Sequence, residues 1–279
     1  MIGTVSVLSA CGSENADAND IVVQEKADNK ENSTESSDIE DIETGNDSEA
    51  AEDADTSDEF GETLQIVVDN PISDENKAKL DALDTAYSKV SWDIEYQVAD
   101  GIIVSQSIYT CVQDHGTEPY YMVIAYTNLT DKPVLISCQG DILNTDGTVN
   151  HANLSEENLP VWPSNTVAKK IICNLEEPSG DITWNNFTVE NSDESVSSFT
   201  ITTELSQEEG KGYTITPTIA SDSNLGHYDY GLGLLLDKDG KILYAMQPVM
   251  SNLVAEIDNN ESIDGKVADA VYFVNPETR

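Results

Sequence analysis

The feature that most constrains this chain is a spaced internal repetition. Val90-Ser91-Trp92 recurs as Ile182-Thr183-Trp184. An apolar run at Tyr121, Val123 and Ala125 begins 29 residues after the first tryptophan, and Tyr213, Ile215 and Pro217 begin 29 residues after the second. Ile142-Leu143-Asn144-Thr145-Asp146-Gly147-Thr148-Val149 then lines up with Leu235-Leu236-Asp237-Lys238-Asp239-Gly240-Lys241-Ile242. Three landmarks in one order at an offset of 92 to 93 residues point to a duplicated structural unit. After the Asp-Gly pairs the correspondence fades, so two related domains are expected rather than two copies.

Each repeat is rich in strand signals and poor in helical periodicity. Apolar and polar residues alternate in Tyr121 to Thr127, Tyr213 to Ile219 and Val267 to Val274. The Asp146-Gly147 and Asp239-Gly240 pairs, flanked by apolar runs, are expected hairpin turns in which glycine supplies the positive φ. About seven short strands in about 90 residues is the size of an immunoglobulin-like β-sandwich. The expected fold is therefore all-β, with two tandem sandwiches whose equivalent strands carry Trp92 and Trp184 in the core. Ahead of them, Ser73 is placed to cap a helix beginning at Asp74 and Glu75, with Leu80, Leu83 and Tyr87 at helical spacing. That helix is expected to pack as a collar on the first sandwich.

Charge divides the chain into two regimes. Overall there are 53 Asp and Glu against 13 Lys and Arg, a formal net charge of -40. Such a chain repels nucleic acid and anionic lipid headgroups. Between Gly12 and Asp69, 20 acidic residues stand against only Lys26 and Lys30. That stretch has too little apolar surface to offset its conformational entropy and is expected to be disordered. About 50 flexible residues span about 40 Å, a reach that self-repulsion extends.

Leu8-Ser9-Ala10-Cys11-Gly12, following Val5 and Val7, resembles a bacterial lipobox. The resemblance implies cleavage before Cys11 and a diacylglycerol on its sulfur, hence an anchor on the outer face of a cell membrane. No Lys or Arg precedes Cys11, so the leader of such a signal is expected to begin upstream of Met1. The repeats themselves resemble the FxLYD-type and related immunoglobulin-like domains of bacterial, mostly Gram-positive, lipoproteins. Leu235-Leu236-Asp237 and Ile142-Leu143-Asn144 keep the apolar-apolar-Asp/Asn ending, while Gly233 and Gly140 stand where the family has its leading aromatic. The expected organisation is a partial signal peptide over 1–11, an acidic linker over 12–62, a strand and helix collar over 63–89, and sandwiches over 90–180 and 181–279.

Catalytic chemistry finds no constellation. His115, His151 and His227 are scattered and lack the paired spacing of a zinc site. The two Asp-Gly segments superficially match a calcium loop, but no glutamate follows at the required place, so they are taken as turns. With Cys11 set aside, Cys111, Cys138 and Cys173 remain, an odd number. Cys138 and Cys173 could bridge two strands in an oxidising environment, although buried thiols are preferred. No catalytic residue, metal or cofactor is expected. The expected function is non-catalytic binding or structural support in the cell envelope, with an envelope protein or glycan as partner. The competing expectation is a solute- or carbohydrate-binding lipoprotein that delivers its ligand to a transporter, although such receptors usually need two α/β lobes.

Overall fold

Ser73 opens a helix as the sequence predicts. In the computed structural model, which describes residues 71–83, 86–112, 118–193, 199–208, 212–221, 228–248, 253–258 and 263–276, helix α1 spans Asp74–Asp81. The Ser73 hydroxyl accepts the Asn76 amide at 3.2 Å, and Asp74 and Glu75 face the positive end of the helix dipole. Ala82 caps the C-terminus of α1, and a second helix, α2, spans Ala86–Lys89. Leu80, Leu83 and Tyr87 are all buried, as their spacing requires. The expected leader, the acidic linker and the apolar run at Leu64 to Val68 lie outside the described residues.

Everything after the collar is strand, so the fold is all-β among the described residues. Strands β1 (Ile94–Ala99), β2 (Ile102–Thr110), β3 (Tyr120–Asn128) and β6 (Asn165–Asn174) form a sheet in the order β1-β2-β3-β6. It faces a sheet of β4 (Val134–Asn144), β5 (Leu154–Val161) and β7 (Pro178–Asn191) in the order β5-β4-β7. The second half contains β8 (Phe199–Glu208), β9 (Gly212–Ser221), β10 (Tyr228–Leu236), β11 (Ile242–Met246), β12 (Ala255–Ile257) and β13 (Asp269–Pro276). Its sheets run β12-β9-β8 and β11-β10-β13. Strand for strand, β8 to β13 repeat the neighbours of β2 to β7, and β1 is an addition to the first half. Each half places its first, second and fifth strands on one sheet and its third, fourth and sixth on the other. That order is compatible with an immunoglobulin-like sandwich.

The duplication is thus present, but two of its expected details are corrected. The boundary expected at 180/181 falls inside β7, which pairs with β4 from Asn144↔Pro178 to Val134↔Asn191 and completes the first sandwich. The divide lies instead between Asn191 and Phe199. Trp184 is consequently no counterpart of Trp92. Trp184 sits in the first sandwich core opposite Gly140, where Nε1 donates to the Tyr96 hydroxyl at 3.0 Å. Trp92 precedes β1 and packs between Tyr87 and Phe273. The true counterpart of Trp184 is Tyr272, which lies opposite Gly233 in the second sandwich. A Cβ on Gly140 would stand 3.0 Å from the Trp184 ring, and one on Gly233 3.5 Å from the Tyr272 ring. The missing Cβ makes room for the aromatic at Gly140; in the second half Gly231, two residues before Gly233, does so, since a Cβ there would meet the Tyr272 ring at 3.0 Å.

The turns match as well. Asn144 N bonds Thr148 O and Gly147 N bonds Asn144 O; Asp237 N bonds Lys241 O and Gly240 N bonds Asp237 O. Gly147 and Gly240 have φ of 82° and 80°, the left-handed residue of a three-residue hairpin loop. An offset of 93 therefore relates Gly140 to Gly233 and Gly147 to Gly240. The pairing of Tyr121 with Tyr213, at an offset of 92, misses by one residue, and in a strand one residue reverses the face. Tyr213 points into its own sandwich, whereas Tyr121 points out of its sandwich toward the other.

That outward face leads to the central architectural fact. Three apolar cores separate four stacked sheets. One core lies within each sandwich, and a third joins Ile103, Tyr121, Val123 and Ala125 of the β1-β2-β3-β6 sheet to Leu232, Leu234, Leu236, Val271 and Phe273 of the β11-β10-β13 sheet. The collar residues Leu80, Leu83, Tyr87 and Val90 belong to this shared core, so the collar packs on both halves and not on the first alone. The alternation expected for Tyr121 to Thr127 is absent, since Tyr121 to Asn128 are all buried. Because the cores are continuous through the middle sheets, the halves are expected to unfold together. Leu234→Ala should cost about 2–5 kcal/mol and shift the urea transition followed by Trp184 fluorescence in a Trp92→Phe, Trp162→Phe background, although Trp184 lies in the core of the first sandwich. A two-step transition whose tryptophan-reported step is unmoved would show independent halves.

Candidate functional site at the junction

The residues singled out by their chemistry do not converge. Cys11, His115 and His227 lie outside the described residues. His151 is exposed, 3.8 Å from Glu176. Cys111, Cys138 and Cys173 are buried and form no disulfide with one another. Burial pushes the Cys138 and Cys173 thiols up to about 11, away from the thiolate that nucleophilic chemistry needs. Among the described residues no group of three or more His, Cys, Asp or Glu is placed to hold a metal. One carboxylate in each turn serves the turn itself: Asp146 accepts from the Thr148 hydroxyl and amide, and Asp237 from the amides of Asp239 and Lys241. These bonds hold both carboxyls below the usual range.

Polar side chains gather instead where the two sandwiches meet. β11 is an edge strand, and an open edge is a site for unwanted pairing. Two groups of the first sandwich close it. The Ala245 amide donates to the Tyr109 hydroxyl at 3.2 Å, and the Ala245 carbonyl accepts from Lys170 Nζ at 3.0 Å. Lys170 Nζ also lies 4.2 Å from the centre of the Tyr121 ring and 5.1 Å from that of Tyr244. The ring faces and the carbonyl supply the negative potential that a half-buried ammonium has lost from water, while burial holds its pKa below the ordinary value. Tyr109 stacks on Tyr121 with centroids 5.2 Å apart. Ser91 N bonds Gly240 O at 2.9 Å, and Lys89 pairs with Asp269 at 3.2 Å, so the collar is also tied to the second sandwich.

Beside this contact the junction opens into a cleft of about 410 Å³. Its walls come from the approach to β1 (Ser91, Asp93), the end of β2 (Ser107 to Thr110), and Lys241, Ile242 and Leu243 at the start of β11, with Glu118 and Lys266 beside them. β1 pairs with β2 only as far as Gln106, so the last turn of the β2 edge is left to side chains. Asp93 supplies one, its carboxylate accepting the Ile108 amide at 3.0 Å. On the other wall the register of β10 and β11 skips Leu243, a bulge that leaves this residue outside the ladder. The cleft therefore presents two cations, two carboxylates, hydroxyls and incompletely paired backbone. Such a lining suits recognition.

Nothing in the sequence marked these residues. Lys169-Lys170 reads as the surface side of a strand until the neighbouring sheet is known. Lys241 reads as a turn residue and Asp93 as an unremarkable residue of the first sandwich, next to Trp92. No family model, curated protein or solved structure matches this chain.

Two outcomes follow from these contacts. Lys170→Met keeps the stem but orphans the Ala245 carbonyl, and should cost about 1–3 kcal/mol of unfolding free energy in urea. Thiols raised from 9.0 to about 11 in the folded chain stabilise it fully below pH 9.0, and that contribution is lost as pH rises through about 11. The thermal midpoint should accordingly fall over this window, and less so in a Cys138→Ala, Cys173→Ala double variant. Equal slopes would exclude the thiols as the cause.

Proposed function

We propose that the chain is an exported surface lipoprotein, anchored through Cys11, whose paired immunoglobulin-like sandwiches of FxLYD type bind or brace a component of the cell envelope without catalysis. The observation that carries this reading is the run Leu8-Ser9-Ala10-Cys11 followed directly by an acidic, Ser-rich tract. A cysteine that receives lipid needs a hydrated tether beyond it, and a tract of like charges supplies one.

The folded portion supports display rather than turnover. Its thiols are buried, Asp146 and Asp237 are used within their turns, and its two halves share one core, so they present their surfaces at a constant spacing. Trp162 and Trp184 are buried, which leaves those rings no face for a sugar. The carbohydrate-binding alternative is weaker for that reason.

Metabolic labelling with palmitate in the producing cell tests the anchor. The native chain should incorporate label and fractionate with membranes, and Cys11→Ala should do neither. Equal labelling of the two would remove the anchor, and with it the outer-face location.

A further inference from the structure

We infer that the junction cleft binds a short extended peptide with charged ends. This deepens the binding role proposed above and rests on that role, but not on the lipid anchor.

The backbone carries the argument. Gln106 turns its carbonyl toward the line of β1, where it accepts the Asp93 amide at 3.0 Å, and Ile108 turns its amide the same way, toward the Asp93 carboxylate. Strand residues alternate in this respect, so the Ile108 carbonyl and both backbone groups of Thr110 also face that side, beyond the first residue of β1. They form a strand edge one or two bonds long with no strand paired to it among the described residues. Across the cleft, Leu243 stands outside its own ladder. An extended peptide laid along Ile108 to Thr110, in line with β1, would pair with this edge as an added strand. Single amino acids and sugars cannot repeat that spacing of donors and acceptors.

Charge selects the ends. Lys241 and Lys266 line the cleft together with Asp93 and Glu118. In a chain of net charge -40, two lysines on one small cleft offset the general field where a carboxylate would lie, and the acidic pair suits an ammonium. The volume of about 410 Å³ holds a few residues and not a folded partner.

Isothermal titration of the full chain carrying Cys11→Ala tests this in solution, so failure of the anchor and failure of the ligand are read separately. The probes are trialanine, trialanine blocked at both ends, and trialanine methylated on its central amide nitrogen. Trialanine should bind, and either modification should weaken it by about tenfold or more. Lys241→Glu should weaken it similarly. Lys238→Glu, whose native ammonium bonds Asp239 and does not line the cleft, should leave it unchanged. Leu243→Pro removes the amide on the opposite wall and should reduce binding; if that variant does not fold, the methylated peptide tests backbone pairing from the ligand side. Absence of trialanine binding, equal binding of the methylated or blocked peptides, or equal effects of Lys241→Glu and Lys238→Glu would overturn the inference.

Discussion

The contact on which the rest of this structure depends is the face-to-face packing of the two middle sheets. Ile103, Tyr121, Val123 and Ala125 on one side meet Leu232, Leu234 and Phe273 on the other, with the collar helices filling the margin. A sheet covered on both faces has no polar side, and its strands become continuous apolar runs. The segments Tyr121 to Tyr126 and Ala270 to Val274 are such runs. Without the contact, each half would present a broad apolar face to water.

The two halves differ because of where each sits in the stack. On β10, Leu232, Leu234 and Leu236 point into the shared core; on β4, the outward positions include Ser137, Gln139 and Asp141, which meet solvent. On β3 the outward residues are Tyr121, Val123 and Ala125, and on β9 they are Thr214, Thr216 and Thr218. Each copy thus keeps its inner face and adapts its outer face, apolar at the junction and polar at the ends. Polar end faces stop such a stack from growing, as capping repeats do in solenoids.

The same junction concentrates what chemistry the fold offers. Tyr109 and Lys170 close the exposed edge of β11, which would otherwise invite another strand. A few residues away that protection ends, because β1 begins only opposite Gln106 of β2 and β11 bulges at Leu243. Edge protection and an incompletely closed edge lie side by side, so a peptide-sized gap can exist in a protein that otherwise hides its strand edges there.

By itself the sequence determined the strand content, the capped helix at Ser73, the two Asp-Gly hairpins and the existence of a duplication. All of these rest on local rules: short apolar runs between turn residues, a side-chain cap, a residue that tolerates positive φ. Only the tertiary structure decided that Trp184 pairs in role with Tyr272 and not with Trp92, because that equivalence is set by which strand lies beside Gly140 and Gly233. It also decided that β7 belongs to the first half and that Lys170, Tyr109 and Asp93 share a junction. Residues 75 to 136 positions apart in the chain make those contacts, and no local pattern encodes which sheet will cover a given face.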